Sequence, residues 1–511
     1  MKHESRYLFI LGVVSWVLFY YFRTPFAGDW DSYDFIWQIV THRHSNLGFG
    51  RVYFVAYNIP IWEVAQRLFQ MPYTEAYKVI QLTTLCLSSG TLILYYFLLK
   101  RLLNTQAAWL GTIVLMTSPY FVIYSGFIMT EIPMFFFLML GLCFHLKGIE
   151  EGRLRFIVLG SAVIGIMTGV RENSLVFIPL FFALPFIHTR NRSGHGWKVM
   201  AGTVLPALMV ALAGPLWIAW NHPGEYPAYV AYWLSKVPRT RTFDWTLLGY
   251  LAMYMFMNSP VGTVMLPPAV IELVRRWRDR GWSARRRPDS LESAPEAGPI
   301  YNASYPELLA IAFFFVALPY MALLMDADMK HYARYVLVGV PGMAMLAGIY
   351  INNIGDRLQA GTWWKYALAT GLGTAILLIS SAPIQKLNQI EQRKKDIITH
   401  MYKNAPDDAV FLPGRLTPLV EGYRQMGLKP AWEMIASGWP WPGRENLVNR
   451  VSEFIESERP LYFISDGAAW QYLEQEQADI NCLRDQFYFQ RVDDYLQRLY
   501  FKKDAEPGEE P

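Results

Sequence analysis

The sequence predicts a polytopic α-helical membrane protein that ends in a small soluble α/β domain, and three observations carry that expectation. Of its 511 residues 53% are hydrophobic and 17% charged, with a mean hydropathy of +0.17, which is more apolar surface than one soluble core accommodates. The apolar residues gather into long runs separated by short charged loops. Beyond residue 383 those runs stop and the composition turns polar.

A hydrocarbon core of about 30 Å needs roughly 17–25 mainly apolar residues per helix. That length places spans at 7–22, 77–99, 106–124, 131–147, 155–170, 173–188, 199–220, 246–272, 306–325, 335–353 and 365–382, about eleven transmembrane helices in all. Lys2 and Arg6 precede the first run as they would in a secretory signal, but no small-x-small cleavage site follows, so it reads as a retained helix. Only Arg171 and Glu172 separate the fifth run from the sixth, as in a helical hairpin or a re-entrant pair.

Basic residues accumulate in alternate loops: Lys2 and Arg6; Lys100 and Arg101; Lys147, Arg153 and Arg155; Arg190, Arg192 and Lys198; seven arginines between Arg275 and Arg287; Arg357 and Lys365. The positive-inside rule makes those loops cytoplasmic. Among them 278–304, rich in Arg, Pro, Ser and Glu, reads as a disordered loop. Loops 23–76, 125–130, 171–172, 221–245 and 326–334 then face the exterior, the periplasm if this is a bacterial inner or plasma membrane. The organisation expected is a transmembrane domain over 1–383, with 23–76 as its first exterior loop, and an exterior soluble domain over 384–511.

Within the first exterior loop, 34–40 and 59–69 carry apolar residues at helical spacing, with Trp37, Trp62 and Phe69 suited to a membrane interface. Short helices along the membrane are expected, and packing against the bundle is equally compatible. In the tail, 409–412 and 461–465 read as short buried strands and 416–426 and 445–456 as helices. The loop 438–443 is aromatic and suits core packing first, stacking on a sugar or lipid second. Cys86 and Cys143 lie in apolar runs and Cys482 in the tail, so neither a disulfide nor a metal spacing is expected. The net charge of +4 is scattered through short loops and builds no basic face, which argues against a nucleic-acid partner.

The exterior side nonetheless collects charges where an apolar chain rarely places them. They are Asp29, Asp31 and Asp34 directly after the first span, Glu131 at the start of the fourth, Arg171 and Glu172, then Lys330, His331 and Arg334 opening the tenth. Burying such groups near lipid costs several kcal/mol unless each is paired or hydrated, so a shared polar cavity is expected. Carboxylates suit deprotonation of a hydroxyl or the binding of sugar hydroxyls, while Arg, Lys and His suit a phosphate. Three residues also have structural readings. Arg171 and Glu172 fit an ion pair that pins the hairpin, and Glu131 an acid favoured at a helix N-terminus. Asp34, one helical turn past Asp31, is expected to tolerate a change to asparagine better than Asp29 or Asp31. Asp29 and Asp31 also resemble a divalent-metal pair, but no further ligands are evident, so the cofactor expected is none.

Five features recur in one order. Asp29-Trp30-Asp31 follows the first span, Thr130-Glu131-Ile132-Pro133 leads into Phe135-Phe136-Phe137, and Gly169-Val170-Arg171-Glu172-Asn173 precedes a run ending at Pro179. Then His331-Tyr332-Ala333-Arg334-Tyr335 leads into a span with Pro341, and a soluble exterior domain comes last. In this order and sidedness the chain resembles, over roughly 1–383, the GT-C superfamily of membrane glycosyltransferases, particularly its protein O-mannosyltransferase-like and aminoarabinose-transferase-like branches. It departs from the commonest O-mannosyltransferase pattern, which has adjacent Asp-Glu, and this leaves both aspartates as candidate bases.

The resemblance implies a GT-C-like fold and inverting hexosyl transfer from a polyprenyl-phosphate donor to a lipid, glycan or protein acceptor at the exterior face. It implies Asp29 or Asp31 as base, Arg334 with Lys330 or His331 on the phosphate, and Glu131, Arg171 and Glu172 in substrate binding. Two other functions remain compatible. A lipid or sugar transporter or flippase also has many spans and internal charges, although the sequence shows no inverted repeat and no Gly/Pro-broken pair of spans in matching halves. A ligase or polymerase would differ mainly in using a lipid-linked oligosaccharide donor.

Overall fold

The computed structural model of the chain describes residues 2–28, 30–45, 51–178, 181, 196–236, 246–284, 333–359, 361–435, 444–466 and 474–502. Contacts divide it into two compact units. One comprises Met1–Arg23, Phe49–Phe54 and Leu82–Ile384, the other Thr24–Gly48, Val55–Gln81 and Gln385–Pro511. Most of the loop 23–76, assigned from sequence to the transmembrane domain, therefore groups with the C-terminal tail, and only Arg23 and Phe49–Phe54 of it with the helical unit.

Among the described residues six helices are long and apolar enough to cross a membrane: Glu4–Phe22, Tyr73–Leu102, Glu131–Glu151, Lys198–Asn221, Leu337–Arg357 and Trp363–Asn404. They belong to α1 (Lys2–Phe22), α4 (Ala76–Leu102), α7 (Glu131–Glu151), α9 (Gly196–Asn221), α13 (Val340–Arg357) and α14 (Thr362–Asn404). Apolar side chains on α1 and α14 point outward, with Phe9 73% and Ile379 76% exposed, as suits helices solvated by lipid. The chain is an integral, multi-pass membrane protein.

Two runs that read as continuous spans are broken. α5 (Thr105–Met116) and α6 (Pro119–Ser125) meet at a bend of 66°, and α11 (Thr246–Asn258) stops one residue before α12 (Pro260–Ala284). Each break sits at a Ser-Pro step, because proline crowds the preceding residue out of the helical region; Ser118 is extended at φ −70°, ψ 119°. The two breaks touch, with the hydroxyls of Ser118 and Ser259 2.9 Å apart. Both breaks lie inside runs that hydropathy alone reads as continuous.

Three further boundaries differ from the sequence reading. α12 continues to Ala284, so 278–284 is helical and not loop, while 285–304 lies outside the described residues, as does the expected span 306–325. The run at 173–188 opens as a 3-10 turn, Glu172–Phe177, and is described only in part beyond it. α14 does not end near 382 but continues through Pro383 as one helix of 43 residues.

α7 and α8 (Leu154–Val170) form a tight hairpin closed by Gly152 at φ +65°, a conformation that favours glycine. Their backbones nearly touch: a Cβ on Gly160 would lie 2.7 Å from both Gly141 O and His145 N. α5 and α13 approach in the same way, a Cβ on Gly348 falling 2.6 Å from Gly111 N. Small residues at such crossings let membrane helices gain van der Waals contact where water supplies no hydrophobic drive.

The loop after the first span holds α2 (Trp30–Thr41) and α3 (Val52–Phe69) over the predicted helices at 34–40 and 59–69, and α2 and α3 from Val55 onward lie in the second unit. Trp37 and Trp62 are buried inside it, Trp62 beside Tyr73, whereas Phe69 is 72% exposed. The tail builds a five-stranded mixed sheet in the order β2-β1-β3-β5-β4. β1 (Val410–Leu412) runs parallel to both β2 (Glu433–Met434) and the central β3 (Leu461–Ile464), and β4 (Phe487–Arg491) and β5 (Leu496–Phe501) form a hairpin beside β3. Helices α15 (Thr417–Gln425), α16 (Arg444–Glu456) and α17 (Glu474–Gln486) alternate with the strands, and α15 packs on α2. Trp432 anchors the core, its ring against Phe411 and its Nε1 donating to Pro406 O at 2.9 Å. Burial acts to raise the Asp493 carboxyl, but donors from Tyr495, Leu496 and His400 prevail and hold it below the usual value. The aromatic loop 438–443 lies outside the described residues.

The hairpin contact yields a prediction. Gly160→Val meets backbone that cannot rotate away and should cost about 1–3 kcal/mol, lowering the thermal midpoint in detergent. Gly224→Ala, which meets nothing within 4 Å, should leave that midpoint unchanged.

Candidate active site

The hairpin places the start of α7 beside the end of α8, and there two charges meet. Arg171, the C-terminal cap of α8, sets its Nη1 2.6 Å from Glu131 Oε1 and donates to Thr130 Oγ1 at 3.0 Å. Both side chains are buried, Arg171 at 1% and Glu131 at 0% exposure. Glu131 also opens α7, where the helix dipole favours a negative charge. Of the two structural readings made from sequence, the ion pair therefore forms with Glu131. Glu172 lies in the following 3-10 turn, its side chain outside the described atoms.

Arg334 is half-buried in the one-turn helix Ala333–Val336, which packs against α11. Lys330 and His331 lie outside the described residues, as does Asp29. Glu131, Arg171 and Arg334 belong to the first unit, Asp31 and Asp34 to the second.

In the second unit the acidic segment is a turn followed by a helix start. Gly28 adopts φ +107°, open to glycine and rare for other residues. Asp31, at 9% exposure, sits in the first turn of α2. Asp34 has a structural task that sequence did not reveal: its carboxylate accepts from Trp37 Nε1 at 3.0 Å, Gln38 Nε2 at 2.6 Å and Ser45 Oγ at 2.5 Å. It ties α2 to the turn after it.

Residues distant in sequence fix the same segment. Gln81 Nε2 donates to Thr24 O at 2.9 Å and to Phe26 O at 3.3 Å, and the Phe26 ring packs against Tyr33 and Tyr77. Glu391, on the polar end of α14, accepts from Gly28 N–H at 3.1 Å and Tyr33 Oη–H at 3.0 Å through one oxygen, and its other oxygen pairs with Lys394 at 2.6 Å. Nothing in the sequence singles out Glu391, which stands among alternating charges of an amphipathic stretch. Among the described residues no group of three or more His, Cys, Asp or Glu side chains is arranged to hold a metal ion.

The buried pair predicts a non-additive mutant cycle. Arg171→Met or Glu131→Leu alone strands a charge away from water and should destabilise the protein by about 3–5 kcal/mol. The double variant should recover most of that loss, measured as thermal midpoints in detergent.

A family model described as dolichyl-phosphate-mannose-protein mannosyltransferase matches residues 60–218, the stretch that holds Glu131 and Arg171. No curated protein sequence is significantly similar. Among solved structures, ArnT from Cupriavidus metallidurans bound to undecaprenyl phosphate superposes over 98% of this chain and 98% of its own, with a TM-score of 0.57 and 12% identity. AglB, the oligosaccharyltransferase of Archaeoglobus fulgidus, in complex with an inhibitory peptide and a dolichol-phosphate, covers 99% of this chain with 75% of its own length, at a TM-score of 0.55 and 11% identity. The Archaeoglobus fulgidus oligosaccharyltransferase tethered to an acceptor peptide covers 96% with 74%, at 0.52 and 12%. The chain therefore has the fold of the GT-C superfamily of membrane glycosyltransferases, the group its sequence motifs resemble.

Proposed function

We propose that the protein is a glycosyltransferase that moves a hexosyl group from a polyprenyl-phosphate donor to a hydroxyl on a lipid, glycan or protein acceptor. The observation that carries this reading is the likeness, along nearly the whole chain, to ArnT bound to undecaprenyl phosphate. AglB with a dolichol-phosphate supports the same class of lipid donor. The alternation of basic loops supports a reaction on the exterior face, the periplasmic one in a bacterial inner membrane.

The chemistry follows from the residue types. Asp31 or Asp29 takes the proton from the acceptor hydroxyl as its oxygen bonds to the anomeric carbon from the face opposite the leaving group, inverting the centre. The bond from that carbon to the donor phosphate oxygen breaks, and the polyprenyl phosphate leaves with the electron pair. Arg334, with Lys330 or His331, meets the phosphate charge, a guanidinium fork gripping two oxygens at once. Glu131 and Arg171 act from behind the substrate, their burial suiting a role in holding the hairpin. We propose no cofactor, a divalent cation at Asp29 and Asp31 being the alternative.

The decisive measurement is transfer of radiolabelled sugar by purified protein from a panel of polyprenyl-phosphate donors, with the acceptor product identified. Asp29→Asn and Asp31→Asn keep the size of the side chain and lose its basicity. At least one should lower turnover by about 100-fold or more, with donor binding and thermal midpoint near wild type. Asp34→Asn should instead lower the midpoint, because an amide cannot accept from all three donors that Asp34 serves. Near wild-type transfer in both Asp29→Asn and Asp31→Asn removes this loop from the chemistry. Loss of lipid movement across vesicles in those variants would install the transporter reading in its place.

The phosphate contact has its own test. Arg334→Lys keeps the charge and loses the fork, so the donor KM should rise by about tenfold. An unchanged KM and kcat would take Arg334 out of the donor site.

A further inference from the structure

We propose that Glu391 is a positioning residue for the acidic turn, holding Asp31 in its reactive place from a helix about 360 residues away in sequence. The inference rests on the transfer reaction proposed above. Its core is a bracket: one carboxylate oxygen of Glu391 receives the backbone N–H of Gly28 on one side of the 29–32 segment and the phenol of Tyr33 on the other. Asp31 lies between the two anchors, and all of these residues belong to one compact unit.

Three features make the bracket rigid. Glu391 is itself buried at 4% exposure, and its second oxygen is occupied by Lys394 one helical turn on, so the carboxylate is held at both ends. Lys394 also lies over the Tyr33 ring, 5.9 Å from its centroid, which ties the anchor phenol to the same pair. Gly28 meets the carboxylate while at φ +107°, so the hydrogen bond captures a backbone state that a free loop visits only in part. A base must sit within hydrogen-bond reach of its proton, and misplacement by about 1 Å costs on the order of 100-fold in rate. The bracket fixes both ends of the segment that holds Asp31, and it contributes no atom to the reaction.

The experiment pairs transfer kinetics with hydrogen–deuterium exchange on the full-length protein in nanodiscs. Glu391→Ala should speed exchange of the 28–34 amides by about tenfold or more and lower kcat by about tenfold or more, with the donor KM within about twofold of wild type. Tyr33→Phe removes one anchor and should give a smaller effect of the same kind. Glu391→Gln turns an amide N–H toward Lys394 and should be impaired, whereas Glu391→Gln combined with Lys394→Met removes that clash and should recover most of the protection and of kcat. Unchanged exchange at 28–34 in Glu391→Ala overturns the bracket, and faster exchange with unchanged kcat overturns its link to turnover. A fall in kcat matched by an equal fall in thermal midpoint without rescue by the double variant reduces Glu391 to general packing and overturns it too. If the wild-type protein transfers no sugar while Glu391→Ala still loosens 28–34, the anchoring stands and the proposed reaction is what fails.

Discussion

Two opposite charges buried at one end of an apolar helical hairpin persist only when they face each other, and this requirement organises the helical unit around Glu131 and Arg171. Each charge alone would cost several kcal/mol in that setting. Their contact at 2.6 Å demands that α7 and α8 end at the same level and lie close together. The level is set by the turn at Gly152, and the closeness by Gly141 and Gly160, whose backbones meet where a side chain would part them. The pair is thus a consequence of the packing as much as its cause. A wider hairpin would leave Arg171 reaching across a gap, and a hairpin one residue out of register would rotate Glu131 off the facing surface.

A second constraint comes from the Ser-Pro steps. Proline withdraws a backbone donor from a helix, and inside a membrane the freed carbonyls need partners. Ser118 meets the need locally by donating to Val114 O at 2.8 Å, and its hydroxyl lies beside that of Ser259 at the other break. The two interruptions therefore support each other, and at both of them protein surrounds the serine, Ser118 and Ser259 being buried.

Much of this was legible in the sequence because burial in lipid requires length. α1, α4, α7, α8 and α9 lie within a few residues of the apolar runs, and β1, β3, α15 and α16 of the tail lie close to their predicted positions. What hydropathy missed has specific reasons. A Ser-Pro step inside an apolar run changes direction without changing polarity, so 106–124 and 246–272 read as single spans. The helix that reads as ending near 382 continues because a fall in hydropathy does not by itself end helical backbone, and alternating charges carry it to Asn404. β2 is two residues long, and the β4–β5 hairpin mixes polar and apolar side chains, so neither shows a strand period. Among the site residues, Glu131 and Arg171 were visible as charges at span mouths, but their pairing was not, because it depends on the start of one helix coming alongside the end of the next in an antiparallel hairpin.

Glu391 was out of reach for a deeper reason. An acidic motif after a first span is a local signal, readable in seven residues, whereas the conformation of that motif depends on groups supplied by a chain segment hundreds of residues later. Hydrogen bonds from Gly28 and Tyr33 to one buried oxygen have no counterpart in spacing, periodicity or charge pattern. Gly28 and Tyr33 anchor the turn on either side of Asp31, and the oxygen that receives them lies on the polar end of a helix in the tail. These bonds are one reason that the tail, which carries no recognisable catalytic motif, shares a compact unit with most of the loop after the first span.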